Sequence, residues 1–127
     1  MANFSEEKIQ KVWDYAFKVE GNNPNEWRKD SCDAWINRGQ YGNETKFGWE
    51  VDHILPIAKE GKDDIGNLCA LHWKNNRSKA DDFPEFQMAV TSNGTENVEH
   101  VERRVWNADV LKRLKEIYPN NPYLRQT

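Results

Sequence analysis

The stretch Val51-Asp52-His53-Ile54-Leu55-Pro56 constrains this chain more than any other. Its pattern is that of a buried strand stopped by a proline, yet it carries a carboxylate and an imidazole side by side. Two such groups in an apolar strand are costly unless they are hydrogen-bonded or hold a metal. Neighbours on a strand point to opposite faces, so Asp52 and His53 diverge. They serve one site only where the strand ends, and Pro56 with the loop behind it meets that requirement.

The surrounding pattern places this strand in a unit. Residues 48–56 form the strand, IAKEGKDDIG is a polar loop, and Asn67-Leu68-Cys69-Ala70-Leu71 is a second short strand. HWKNNRSKADD then starts a helix that ends before Pro84. Strand, loop, strand and helix in that order predict an α+β fold. Ahead of the unit, residues 5–19 read as a helix, with Ser5 as cap, Glu6 and Glu7 in the first turn, and Ile9, Val12, Trp13 and Ala16 at helical spacing. The turn-rich segment 20–26 ends it. Segment 27–42 receives no element, but Trp27, Trp35, Ile36 and Tyr41 are its candidate core anchors. Behind the unit, Asn93-Gly94 between two β-leaning runs signals a hairpin. A last helix over 107–118 carries Val110, Leu111, Leu114 and Ile117 on one stripe, followed by a frayed tail.

A chain of 127 residues fits one domain over 1–127 with a modest core. Six tryptophans supply area that its aliphatics do not. No apolar run approaches the ~20 residues of a membrane span, and MANFSEEKIQ lacks the basic-then-apolar pattern of a secretory leader. Two cysteines, Cys32 and Cys69, make no disulfide framework. These features point to the cytoplasm, with no membrane partner. The net charge of −3 disfavours nucleic acid mildly, because phosphates attract basic surfaces. Charge is uneven, however. Lys74, Arg77 and Lys79 lie in a stretch without acids, and Arg103, Arg104, Lys112, Arg113 and Lys115 outnumber the acids around them.

Counting from His53, Asn67 lies 14 positions on and Asn76 a further 9, with Lys79 one helical turn beyond Asn76. A neutral histidine takes a proton from water near neutral pH. A carboxylate and an amide oxygen are hard ligands suited to Mg²⁺, which keeps several of its waters. A lysine beside the ion meets a phosphate oxygen. These are the parts needed to hydrolyse a phosphodiester. Asn75 competes with Asn76, and His72, four residues before Asn76, shares its helix face.

Asp52-His53-Ile54-Leu55-Pro56, then Asn67, then Asn76-Arg77-Ser78-Lys79-Ala80-Asp81 resemble the HNH motif of the ββα-metal (His-Me finger) nuclease superfamily. The spacing is especially similar to the HNH domain of RNA-guided CRISPR effector nucleases. WRKDSCDAWI, YGNETKFGWEVDHI and LHWKNNRSKAD also look like small stand-alone bacterial HNH proteins. The likeness covers about residues 48–84. It implies a ββα-metal core, here with an N-terminal helix and a C-terminal β-hairpin plus helix. It implies an endonuclease in which His53 is the general base, Asp52 and Asn76 hold Mg²⁺ (with Mn²⁺ as a substitute), and Asn67 braces the His53 segment. Products carry 5′-phosphate and 3′-hydroxyl ends. Lys79 and Arg77 are assigned to substrate phosphate. Spacing places Asn76 on the metal and Asn75 on the surface, while His72 caps or packs. Two Cys-x-x-Cys pairs that zinc-holding relatives carry are missing, so no structural zinc is expected. The substrate is DNA ahead of RNA, and the protein a monomer or homodimer. Two rival readings are a non-catalytic nucleic-acid-binding or assembly factor and an antibacterial nuclease toxin with an immunity partner.

Overall fold

The structure, a computed structural model, describes residues 3–127, so the first two residues of the leader reading lie outside it. Among the described residues nine α-helices and β-strands follow in order: α1 (Glu6–Asp14), β1 (Trp27–Lys29), β2 (Trp35–Asn37), β3 (Trp49–His53), β4 (Leu68–His72), α2 (Trp73–Lys79), β5 (Glu85–Asn93), β6 (Glu96–Val105) and α3 (Ala108–Ile117). The strands pair as three antiparallel ribbons, β1-β2, β3-β4 and β5-β6. The fold is α+β, with β3-β4-α2 at its centre, α1 before it, and the β5-β6 hairpin and α3 after it. Among the described residues no helix is long and apolar enough to cross a membrane.

Local chemistry explains the boundaries. Ser5 Oγ accepts from Lys8 N and starts α1. The expected helix over 5–19 is too long, and α1 stops at Asp14. The buried Arg28 side chain takes the carbonyls of Asp14 at 2.8 Å and Ala16 at 3.3 Å. Phe17 then pairs its backbone with Lys29, which draws the chain into a bridge instead of a further turn. Asn107 caps α3 rather than joining it, accepting from Val110 N. In the hairpin, Asn93 pairs with Glu96, so the turn is Gly94-Thr95, with Gly94 at φ +63°.

The β3-β4 ribbon lies between two cores. On one side Trp49, Leu68 and Ala70 pack against Ile9, Val12 and Trp13 of α1. On the other, Ile54, Leu55 and Leu71 join Phe86, Met88, Trp106 and Leu114 from the hairpin and α3. Each fully buried side chain of this size contributes about 1.5–3 kcal/mol. Of the four expected anchors in segment 27–42, Trp35 and Ile36 are buried, whereas Trp27 and Tyr41 are only half-buried. The tail from Tyr118 is not frayed. Leu124 enters the core, and Asn121 bonds Lys59 O, Tyr123 N and Leu124 N.

A seven-residue helix cannot hold itself together in water, so α2 depends on anchors. His72 caps it, with Nδ1 accepting from Lys74 N and Nε2 donating to Lys46 O. Burial holds the His72 imidazole below its ordinary pKa. Asn75, expected at the surface, is instead fully buried. Its Nδ2 donates to Asp30 Oδ2 and Val90 O, while its Oδ1 accepts from Ala89 N and Val90 N. The outer edge of β5 is thereby closed by a side chain of α2. Asp30 itself accepts from Cys32 N, Ala34 N, His72 N and Asn75. Burial raises its carboxyl pKa and these four donors pull it back.

Candidate active site

The end of β3, the α2 face and the loop after Pro56 enclose a cleft of about 420 Å³ whose walls include Glu50, Asp52, His53, Asn76 and Arg77. Asp52 and His53 do diverge from the strand. Asp52 turns under α2 and is 5% exposed, whereas His53, the last residue of β3, is half-buried on the other side. Because the strand stops there, both reach the same cleft.

Asp52 Oδ1 lies 3.3 Å from Lys79 Nζ, and its Oδ2 accepts from the Cys69 thiol at 3.6 Å. Cys69 is its register partner on β4. Burial pushes the Asp52 carboxyl up to about 6, with Lys79 drawing it back. The same burial, with Asp52 beside it, pushes the Cys69 thiol up. Lys79 is therefore not where the sequence placed it. It is fully buried, and its ammonium is spent on Asp52 and on the His53 carbonyl at 2.9 Å. A group with no exposed surface does not meet a substrate phosphate. The acid-free stretch 72–79 is correspondingly less basic at the surface than it reads. Arg77, the exposed residue of the pair, sits at the cleft rim over the Trp73 ring, paired with Glu44 and with Glu50 at 3.6 Å.

His53 Nε2 lies 2.6 Å from Asp63 Oδ1. A carboxylate only accepts, so Nε2 carries a proton toward Asp63. The Phe4 ring stands beside the imidazole, with centroids 5.9 Å apart. Asp63 was missed in the sequence, where Lys62-Asp63-Asp64 is only an acidic loop without a spacing signal. The loop is pinned by Lys8 Nζ on Asp63 O and by Tyr118 Oη, which donates to Asp64 and accepts from Lys62 N.

Asn67 is fully buried beneath the cleft. Its Oδ1 accepts from Leu55 N at 2.8 Å, and its Nδ2 donates to the carbonyls of Leu55 and Lys62, both at 3.0 Å. This ties the segment after His53 to the start of β4. Gly61 completes the clamp, since a Cβ there would stand 1.8 Å from Leu55 O and 2.9 Å from Asn67 Nδ2. Replacing Asn67 by Ala removes three side-chain bonds and strands buried partners, at a cost of about 2–4 kcal/mol. Urea unfolding reads that loss, and an unchanged midpoint would remove Asn67 from the clamp.

Asn76 Nδ2 donates to Glu50 Oε1 at 3.0 Å, and among the described residues no protein group donates to its Oδ1. Neither Asn75 nor His72 lines the cleft. Among the described residues no three His, Cys, Asp or Glu side chains cluster as a metal site. The carboxylate and amide oxygens of buried or half-buried residues lining the cleft are the Asp52 carboxylate, held by Lys79 and Cys69, the Glu50 carboxylate, held by Asn76 and Arg77, and the Asn76 amide oxygen. Such hard oxygens fit a dication that retains its waters and shares phosphate oxygens with a substrate.

The ββα unit thus brings a histidine at a strand end and side-chain oxygen donors to one cleft. Residues 42–82 match the family model described as HNH endonuclease, which supports an HNH-type domain over this part of the chain. No curated protein and no solved structure matches the chain. Domains of this family act on nucleic acid with the help of a metal ion.

Proposed function

We propose that the protein is a metal-dependent endonuclease that hydrolyses phosphodiester bonds in DNA. One observation carries this reading: Asp52, His53 and Asn76 open onto a single cleft within the HNH segment. His53 takes the proton of the attacking water at Nδ1, while Asp63 accepts the Nε2 hydrogen bond and fixes the tautomer. Asp52 and Asn76 hold Mg²⁺, or Mn²⁺ in its place. The ion, when bound, draws charge from the phosphate and from the leaving 3′ oxygen. Arg77 at the rim donates to non-bridging oxygens. Asn67 keeps the His53 segment in position, and products carry 5′-phosphate and 3′-hydroxyl ends.

With Lys79 committed internally and Arg77 already paired, few free cations face the cleft. Binding is then weak, salt-sensitive and largely independent of base sequence. One such site cuts one strand. We propose further that one domain spans residues 1–127 and acts in the cytoplasm as a monomer or homodimer. Supercoiled plasmid, single-stranded DNA and RNA incubated with Mg²⁺, Mn²⁺ or EDTA test the nuclease reading. Metal-dependent nicking of plasmid, lost in EDTA, is expected. No cleavage of any substrate with either ion would overturn it, and cleavage of RNA alone would overturn the DNA assignment.

A further inference from the structure

Glu50 is the one buried carboxylate at this cleft that the hydrolysis does not use. It stands two residues before Asp52 on β3, so both side chains leave the same face of the strand and meet α2. It is 7% exposed, with Oε1 3.0 Å from Asn76 Nδ2 and Oε2 3.6 Å from Arg77 Nη2. An amide beside a carboxylate has one stable orientation, with the NH₂ group toward the acceptor. The reverse orientation sets two oxygens against each other and leaves the buried acceptor without a donor. Asn76 Oδ1 is thus turned away from Glu50, and it is the amide oxygen that no protein donor occupies.

We infer that Glu50 is a positioning residue: it fixes the Asn76 amide so that Oδ1 is the oxygen offered to the dication, while Arg77 holds Glu50 from its other side. The inference rests on the metal reading above. It accounts for a buried acid on this strand face without making it a ligand. It also gives Arg77 a second task besides phosphate, that of neutralising Glu50 at the rim.

A double-mutant cycle in Mn²⁺ affinity separates positioning from ligation. The probe is Mn²⁺ alone, followed by electron paramagnetic resonance, with circular dichroism confirming the fold of each variant. Glu50→Leu should lower affinity about 10- to 100-fold, the range for loss of a partner that orients a ligand. In the Asn76→Asp background the side chain at 76 has two equivalent oxygens and needs no orienting. There Glu50→Leu should lower affinity at least about tenfold less, since any general loss of negative charge is common to both backgrounds. Glu50→Gln, which keeps the shape, should show the same contrast at smaller amplitude and replaces Glu50→Leu if that variant does not fold. An equal loss in both backgrounds would make Glu50 a ligand and overturn the inference, as would no loss in either. Asp52→Ala is the separate control. If it leaves Mn²⁺ affinity unchanged, the metal reading itself fails, whatever Glu50 does.

Discussion

His53→Ala is expected to lower the cleavage rate by about 10²- to 10⁴-fold, the usual contribution of a positioned general base, while leaving fold and metal affinity in place. The structural reasons are specific. His53 belongs to neither core cluster, and its ring contacts are the Asp63 carboxylate and the half-buried Phe4. Removing the ring therefore empties part of an open cleft and leaves packed core untouched, so melting should move by little. Asp63→Asn keeps the shape but exchanges an acceptor that fixes one tautomer for an amide that accepts either. It should slow cleavage by less than His53→Ala and have no further effect in the His53→Ala background. Plasmid nicking by the purified variants, with Mn²⁺ affinity measured beside it, decides the matter. A His53→Ala protein that cuts at the wild-type rate removes His53 from the chemistry. One that no longer binds Mn²⁺ makes it a ligand instead.

The parts of this arrangement that could be read from the sequence are those carried by short-range pattern. The strand-loop-strand-helix order, Ser5 as a cap and the stripe of α3 are local, and all three stand in the structure. Asp52, His53 and Asn76 share a cleft because spacing along one compact unit translates directly into proximity. What was not readable depends on partners far along the chain. Asn75 and Asn76 are indistinguishable as letters. Only the arrival of β5 and Asp30, 14 and 45 residues away, buries one and leaves the other at the cleft. Arg28 shortens α1 from across a turn, and no helical periodicity reports that. Lys79 at one turn from Asn76 read as a surface cation, but the same turn carries it beneath the sheet onto Asp52. Asp63 reaches His53 through a loop whose path is set by Lys8 and Tyr118.

Lys79→Met should be the most destabilising of these changes, at about 3–5 kcal/mol, the cost of removing one partner from a buried ion pair. Asp52 is 5% exposed and Lys79 is fully buried, so neither charge has water to fall back on. The methionine fills the space of the aliphatic stem but leaves the Asp52 carboxylate and the His53 carbonyl without their donor. The pH dependence carries the signature. Burial already raises the Asp52 carboxyl from 3.8 to about 6. From pH 3.8 to about 6 the unfolded chain has released this proton and the folded one retains it, so the folded state loses up to about 3 kcal/mol of stability across that window and no more above it. Without Lys79 the carboxyl rises further and the window extends upward. Lys79→Met should therefore cost less at pH 5, where Asp52 is protonated, than at pH 8, where it must ionise or remain neutral against solvent. Asp52→Asn added to Lys79→Met removes the orphaned charge and should recover most of the loss. Urea unfolding of the metal-free proteins at both pH values reads all four states. A penalty that is the same at pH 5 and pH 8, or that Asp52→Asn does not relieve, would mean that Lys79 supports the fold through packing and not through the charge on Asp52.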